Sequence, residues 1–213
     1  MSTVVVIDYG TSNLRSVAKA LEFAAGKYHR IIVSEQAELI RLADRVVFPG
    51  QGAIGQCMQS LREKKLDVLI KEAIQTKPFL GICLGLQSLM DMSEEDGGTE
   101  GLGIIPGRVV RFKDNIRDEQ GNLCKIPHMG WNQVNQSRPH ALWEGIEDGA
   151  RFYFVHSYYV VPDNTADTAA TTDYAATFTS AAARDNIFAT QFHPEKSQKA
   201  GLTLLKNFLE WNI

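Results

Sequence analysis

The sequence holds only three cysteines, no apolar run long enough to span a membrane and no excess of basic residues. Each shortage excludes a class of protein. Cys57, Cys83 and Cys124 are odd in number and widely spaced, which fits neither a disulfide framework nor a CxxC metal site. Free thiols, no structural metal and no cofactor are therefore expected. The N-terminal run TVVVID stops at Asp8 and has no basic flank, so it is too short for the apolar part of a secretion signal. Nothing elsewhere approaches the ~18 consecutive apolar residues of a membrane helix, and the expectation is a cytoplasmic chain with no membrane partner. The formal net charge of -3, from 22 Lys+Arg against 25 Asp+Glu, argues against a nucleic-acid surface. No proline-rich or serine-rich linker and no internal repeat divides the 213 residues, so a single domain covering 1–213 is expected.

What is present is an alternation of short β-rich runs and helical patterns. TVVVID is followed by LRSVAKALEFA, with apolar positions at 14, 17, 18 and 21, then RIIVS, AELIRLA and RVVF, two helical stretches, and PFLGI. This alternation predicts an α/β fold: βαβ units around a central, mostly parallel (mixed) sheet flanked by helices. Ligands of such sheets gather beyond the carboxyl ends of the strands. Here those ends are Asp8-Tyr9-Gly10, Pro49-Gly50-Gln51-Gly52 and Cys83. The acidic, glycine-rich segment 93–103 reads as an exposed loop. From 107 onward the runs GRVVRF, KIPHMGWNQV, RFYFVHSYYVV, AATFTS and IFATQF predict more antiparallel pairing in the second half. A closing helix over roughly 198–211 is expected to bury Leu202, Leu205, Phe208 and Leu209.

Gly81-Ile82-Cys83-Leu84-Gly85 has the G-x-nucleophile-x-G form of a strand-to-helix elbow. At its apex a helix N-terminus favours a thiolate, and the Leu84 N–H can face a developing oxyanion. The competing reading is an inert small hydrophobe in a tight corner. A thiolate nucleophile needs a base and an orienter for that base. Among five histidines, His29 and His140 read as surface positions, and His128 and His156 as hydrogen-bonded core or interface residues. His193 ends a strand in Gln191-Phe192-His193-Pro194-Glu195. The proline favours extended geometry, which brings alternate residues to one side, so Glu195 can hold the imidazole. The turn at Gly50-Gln51-Gly52 is either a plain strand end or a second source of oxyanion donors.

The combination of G-I-C-L-G-x-Q with H-P-E near the C-terminus resembles the class I, triad-type glutamine amidotransferases. IDYGTSNLRSV, KIPHMGWNQV, FYFVHSYYV and QFHPEKS followed by GLTLLKNFLEW extend that resemblance from residue 4 to 211. Together they look like the glutaminase subunits of imidazole glycerol phosphate synthase, in histidine biosynthesis. The resemblance implies the class I amidotransferase fold and a division of labour in which Cys83 attacks the carboxamide of L-glutamine, His193 moves the proton and Glu195 orients His193. It also implies that Gly50, Gly52, Gln87, Ser157, Tyr158 and Glu95 hold glutamine. The implied partner is a separate (β/α)8-barrel cyclase subunit forming a heterodimer and receiving ammonia. His128, Trp131, Asn132 and Lys196 would lie at or near its face, although Trp131 also reads as an aromatic core plug. The alternatives are the glutaminase of another synthase, such as anthranilate or aminodeoxychorismate synthase, or a degenerate regulatory module. Two departures from the family pattern are Gln51, where P-G-V-G is common, and Thr11-Ser12-Asn13. The latter is expected to touch the turn after the first strand and not the triad.

Overall fold

The computed structural model describes all residues except 116, 118–120, 122 and 175. The strands are β1 (Ser2–Ile7), β2 (His29–Ser34), β3 (Arg45–Gly50), β4 (Phe79–Cys83), β5 (Met92–Ser93), β6 (Thr99–Glu100) and β7 (Gly107–Arg111) in the first half. The second half contributes β8 (His128–Gln133), β9 (Asn135–Gln136), β10 (Arg151–His156), β11 (Tyr158–Pro162), β12 (Thr168–Tyr174), β13 (Ala176–Arg184) and β14 (Ile187–Thr190). The run AATFTS begins at 175, which lies outside the described residues, and β13 takes up the rest of it. The helices are α1 (Leu14–Ala25), α2 (Ala37–Leu42), α3 (Ile54–Glu63), α4 (Leu66–Ala73), α5 (Leu84–Gln87) and α6 (Gln198–Glu210).

One sheet runs β2-β1-β3-β4-β14-β13-β11-β7-β5-β6, with β12 and β9 joined beside β13. Its first five strands are all parallel, as crossover helices require. From β14 onward the pairing turns antiparallel at β13, β11 and β7. β8 and β10 form a separate antiparallel ribbon. Alternation along β1 shows how the sheet is covered on both faces. Val4 and Val6 pack with Leu14, Val17 and Leu21 of α1 and Leu205 and Phe208 of α6, whereas Val5 and Ile7 pack with Ile40, Ile54, Leu61 and Ile70 of α2, α3 and α4. Each such fully buried side chain contributes about 1.5–3 kcal/mol relative to exposure.

Two expectations change in detail. α6 buries Gly201, Leu204, Leu205, Phe208 and Leu209, so Leu204 takes the core position assigned to Leu202, which is half-buried. Segment 93–103 is more than a solvated loop. It supplies β5 and β6 at the sheet edge, buries Leu102, and sends the Glu95 carboxylate to accept the N–H of Ile54, 2.9 Å away, at the start of α3. At the far end of the sheet the Arg45 guanidinium donates to the carbonyls of Phe208 (3.2 Å), in the last turn of α6, and of Trp211 (2.7 Å), just beyond it. Among the described residues, no helix is long and apolar enough to cross a membrane.

Candidate active site

Parallel register brings the candidate groups together. Gly50 on β3 lies beside Cys83 on β4, and Thr190 on β14 lies beside Ile82, so the chain leaving each strand emerges at one sheet edge. Cys83 has φ 54 and ψ -105, a left-handed conformation that a non-glycine residue holds only under constraint from its surroundings. The elbow closes because Gly85 has no side chain: a Cβ there would overlap the carbonyl oxygen of Phe48 on β3.

A cavity of about 620 Å³ opens at this edge, within the usual range for small-molecule sites. Gln51, Gly52, Cys83, Leu84, Gln87, Glu95, Ser157, Tyr158 and His193 all line it. Gly50, expected among the groups holding glutamine, does not line it and lies beside Cys83 at the end of β3. Burial raises the Glu95 pKa above the usual carboxylate range, with the Asp96 charge adding to it and the Ile54 N–H opposing it.

His193 is 1% exposed, and its Nδ1 lies 2.9 Å from Oε1 of Glu195. Its Nε2 has no well-formed hydrogen bond among the described residues, but the Cys83 sulfur is close enough to act on it through charge and a weak hydrogen bond. Burial alone disfavours the imidazolium. The Cys83 thiolate and the Glu195 carboxylate together outweigh burial, and the His193 pKa rises well above the ordinary imidazole value. For Glu195 the balance is similar in kind: burial pushes its pKa up, and hydrogen bonding and charge from His193, with help from Asn13, bring it below the usual value. The arrangement therefore favours an imidazolium at His193, paired with the Glu195 carboxylate and close to the Cys83 sulfur, the set of groups that nucleophilic acyl transfer requires.

Asn13 was expected to lie away from the triad. Its Nδ2 instead donates to Glu195 Oε1 at 2.9 Å, because α1 starts directly beneath the Pro194–Lys196 turn that carries the carboxylate. Gln191 was given no role, yet it is fully buried and its Nε2 donates to the Cys83 sulfur at 3.6 Å. The available signal was its place two residues before His193; the extended step expected from His193 to Glu195 is replaced by a bend at 191–192 and a helical turn over Pro194–Lys196. The two departures from the family pattern also meet: Gln51 Nε2 donates to Ser12 Oγ at 2.5 Å, tying the β3 turn to the loop after β1.

The residues expected at the partner face divide into two groups. Trp131 is 38% exposed, packs edge-on against Tyr153 at 6.2 Å and is not a core plug. Lys196 Nζ stands 5.8 Å from the centre of the same Tyr153 ring, and Asn132 is half-buried on β8. His128 does not present its side chain at that face. It is 3% exposed and stacks between Phe154 and Tyr174, because it points to the inner side of β8. His140, read as a surface residue, accepts the Leu142 N–H and packs against Phe188 and Trp211. Among the described residues, no group of three or more His, Cys, Asp or Glu side chains is arranged to hold a metal ion.

Comparison with known proteins bears on the family and the fold. The family model described as glutamine amidotransferase class-I matches residues 5–211. The imidazole glycerol phosphate synthase subunit HisH of Nitrosococcus oceani is 58% identical over 212 residues, covering 100% of this chain and 99% of that protein. The subunit of the same name from Methylococcus capsulatus is 54% identical, with 99% and 97% covered. Among solved structures, a glutamine amidotransferase superposes with TM-score 0.69 at 16% identity, covering 97% of each chain. One from Thermotoga maritima gives 0.62 at 16% identity, covering 93% of this chain and 78% of its own; likeness at such identity shows the fold alone. With a family model across nearly its whole length and relatives above half identity end to end, the chain belongs to the class I glutamine amidotransferases and, among them, to the HisH subunits of imidazole glycerol phosphate synthase.

Proposed function

We propose that Cys83, His193 and Glu195 perform the glutamine hydrolysis of this family in the cavity at the ends of β3, β4 and β14. The observation that carries the assignment is the buried line from the Cys83 sulfur through His193 to Glu195, placed at a cavity of amino-acid scale. The thiolate of Cys83 attacks the carboxamide carbon of L-glutamine, forming a C–S bond and a tetrahedral oxyanion. The N–H of Leu84 and the peptides of Gly50-Gln51-Gly52 are the candidate donors to that oxyanion. His193 passes its Nε2 proton to the departing nitrogen, the C–N bond breaks, and ammonia leaves behind a glutamyl thioester. A water molecule then gives a proton to His193 and adds to the thioester, and cleavage of the C–S bond releases glutamate and the thiolate. Gln87, Glu95, Ser157 and Tyr158 hold the amino-acid end of the substrate.

Ammonia passes to a separate cyclase subunit, a (β/α)8 barrel that forms a heterodimer with this chain in the cytoplasm. The exposed Trp131, half-buried Asn132 and Lys196 supply the docking face, with His128 supporting it from beneath. The whole chain, 1–213, acts as one domain. The test is glutamate release by the chain alone, with the cyclase, and with the cyclase plus its ribonucleotide substrate. Strong stimulation in the last mixture supports the assignment, and turnover indifferent to the cyclase points to another synthase. Cys83→Ala should abolish glutamine-dependent synthesis and leave ammonia-supported synthesis intact. Loss of both in a normally assembled complex would contradict the division of labour.

A further inference from the structure

Two buried histidines take no part in the chemistry above. His128 on β8 and His156 at the end of β10 are opposite one another in the antiparallel ribbon. They lie in an aromatic enclosure: the His128 ring is 4.8 Å from Phe154 and 3.9 Å from Tyr174, and Phe112 and Phe178 pack against both imidazoles. Burial holds both neutral, lowering the His128 pKa to about 4 and that of His156 to about 3; for His156 the neighbouring His128 and His193 charges add to burial and the Tyr158 carbonyl opposes it.

A neutral imidazole has one donor and one acceptor, so any end of the chain that can play only one part fixes the direction of all of it. The Tyr158 carbonyl can only accept. It lies 2.7 Å from His156 Nδ1, which must carry the proton. His156 Nε2 is then the acceptor for His128 Nδ1–H at 3.0 Å. His128 Nε2 is left to accept from Asn132 Nδ2 at 3.3 Å, and the same amide nitrogen donates to the Asp173 carbonyl at 2.9 Å. At the other end, Tyr158 O also accepts from Gln87 Nε2 at 3.0 Å. The second proton of that amide goes to Gln191 Oε1 at 3.2 Å, and Gln191 Nε2 reaches the Cys83 sulfur. Every proton has one place, and the chain runs from the half-buried edge of β8 to the nucleophile.

We infer that His128 and His156 are positioning residues for glutamine hydrolysis, holding Tyr158 and Gln87 so that the Gln191 amide is fixed against the Cys83 sulfur. The inference rests on Cys83 being the nucleophile. A donor held on the thiolate orients its attacking lone pair, and a buried amide can be held in this way only if its own acceptor is satisfied, which is the service Gln87 provides. His128 does not line the cavity, whereas its partner His156 does and also feels the His193 charge directly.

The test has two parts. Side-chain ¹⁵N spectra of the full-length chain, with Cys124→Ser to leave one accessible thiol, should show His128 and His156 as single Nδ1–H tautomers. Alkylation of Cys83 by iodoacetamide should shift the His193 signals, as a control, and those of His128 as well. A His128 spectrum that stays unchanged while His193 shifts overturns the inference. In the complex with the cyclase, His128→Phe keeps an aromatic ring but removes the donor, and kcat for glutamine should fall about tenfold, the scale of one buried hydrogen bond. His128→Asn restores a donor at the Nδ1 position and should recover most of that loss. Equal losses in the two variants mean that packing is the role, and the inference fails. If His128→Phe does not fold, the spectra on the natural side chains decide. If Cys83 resists iodoacetamide and Cys83→Ala still turns over glutamine, it is the nucleophile assignment that has failed.

Discussion

Removal of the Asn13 side chain isolates the smallest group on which the proposed acid–base pair depends. Glu195 has a fully buried side chain, and its Oε1 accepts from both His193 and Asn13 at 2.9 Å. Asn13→Ala deletes one of those two donors while leaving the carboxylate out of reach of bulk water. A hydrogen bond to a charged group is worth about 1.5–3 kcal/mol. If that support acts fully when His193 carries its proton in the transition state, kcat/KM falls about tenfold to hundredfold. The direction of the pH effect follows from the carboxylate. Burial raises its pKa, and the donors bring it down, so losing Asn13 raises it and moves the acid limb of the activity profile to higher pH. Asn13→Asp should be worse than alanine, because a second carboxylate beside Oε1 adds like-charge repulsion in place of a donor. The assay is steady-state glutamine hydrolysis by the cyclase-bound chain from pH 5 to 9, with co-elution of the two chains as the control for assembly and ammonia-supported synthesis as the control for the cyclase. A kcat/KM within twofold of the unaltered chain and an unmoved acid limb would refute the argument that Asn13 supports Glu195.

Three further outcomes are expected. The His193 imidazole, followed by NMR, should titrate well above 6.5, and Cys83→Ala should lower that midpoint, because burial then faces less opposing charge; an unchanged midpoint would mean the sulfur and Nε2 do not interact. Gly85→Ala should lower stability by more than about 1 kcal/mol in urea unfolding and cut glutamine turnover, since the new methyl meets the Phe48 carbonyl at the elbow; wild-type stability would show that β3 and α5 can separate freely. Lys196→Ala removes a contact with Tyr153 worth about 0.5–1 kcal/mol to the fold, and should weaken cyclase binding in calorimetry by more than that; unchanged affinity and unchanged stimulation would remove Lys196 from the docking face.

The parallel half of the fold was legible because each strand ends on a turn signal and each helix repeats its apolar residues at helical spacing, as at Leu14, Val17, Ala18 and Leu21. The elbow and the His193–Glu195 pairing were legible for a local reason: one is a five-residue turn, the other a two-residue spacing, although the Pro194–Lys196 turn and not an extended step brings Glu195 to the imidazole. Asn13 was missed because its partner is 182 residues away and nothing near it in the chain announces a carboxylate. An asparagine before a helix suggests a cap, yet here the side chain makes no capping bond. The α6 face was misread at one residue, Leu202, because Gly201 has no apolar side chain to mark the true face; it is buried through close contact with the Pro194 carbonyl. The histidine pair lies beyond local reading altogether, since its order depends on which strand lies opposite β8.

The Arg45 clamp at the end of α6 sets how motion is shared across the site. α6 is held at its far end by a buried guanidinium and at its near end by the fit of Gly201 against Pro194, so the turn bearing His193 and Glu195 is carried on a strut fixed at both ends. Its amides belong with the slowest to exchange with solvent hydrogen. The opposite wall, residues 10–12 and 51–52, is made of loop ends that include the exposed Gln51–Ser12 contact, whereas Asn13 is tied to the fixed side through Glu195. The proton-carrying side of the site is thus set once, at folding, and what remains adjustable from one turnover to the next lies on the wall where the oxyanion must be met.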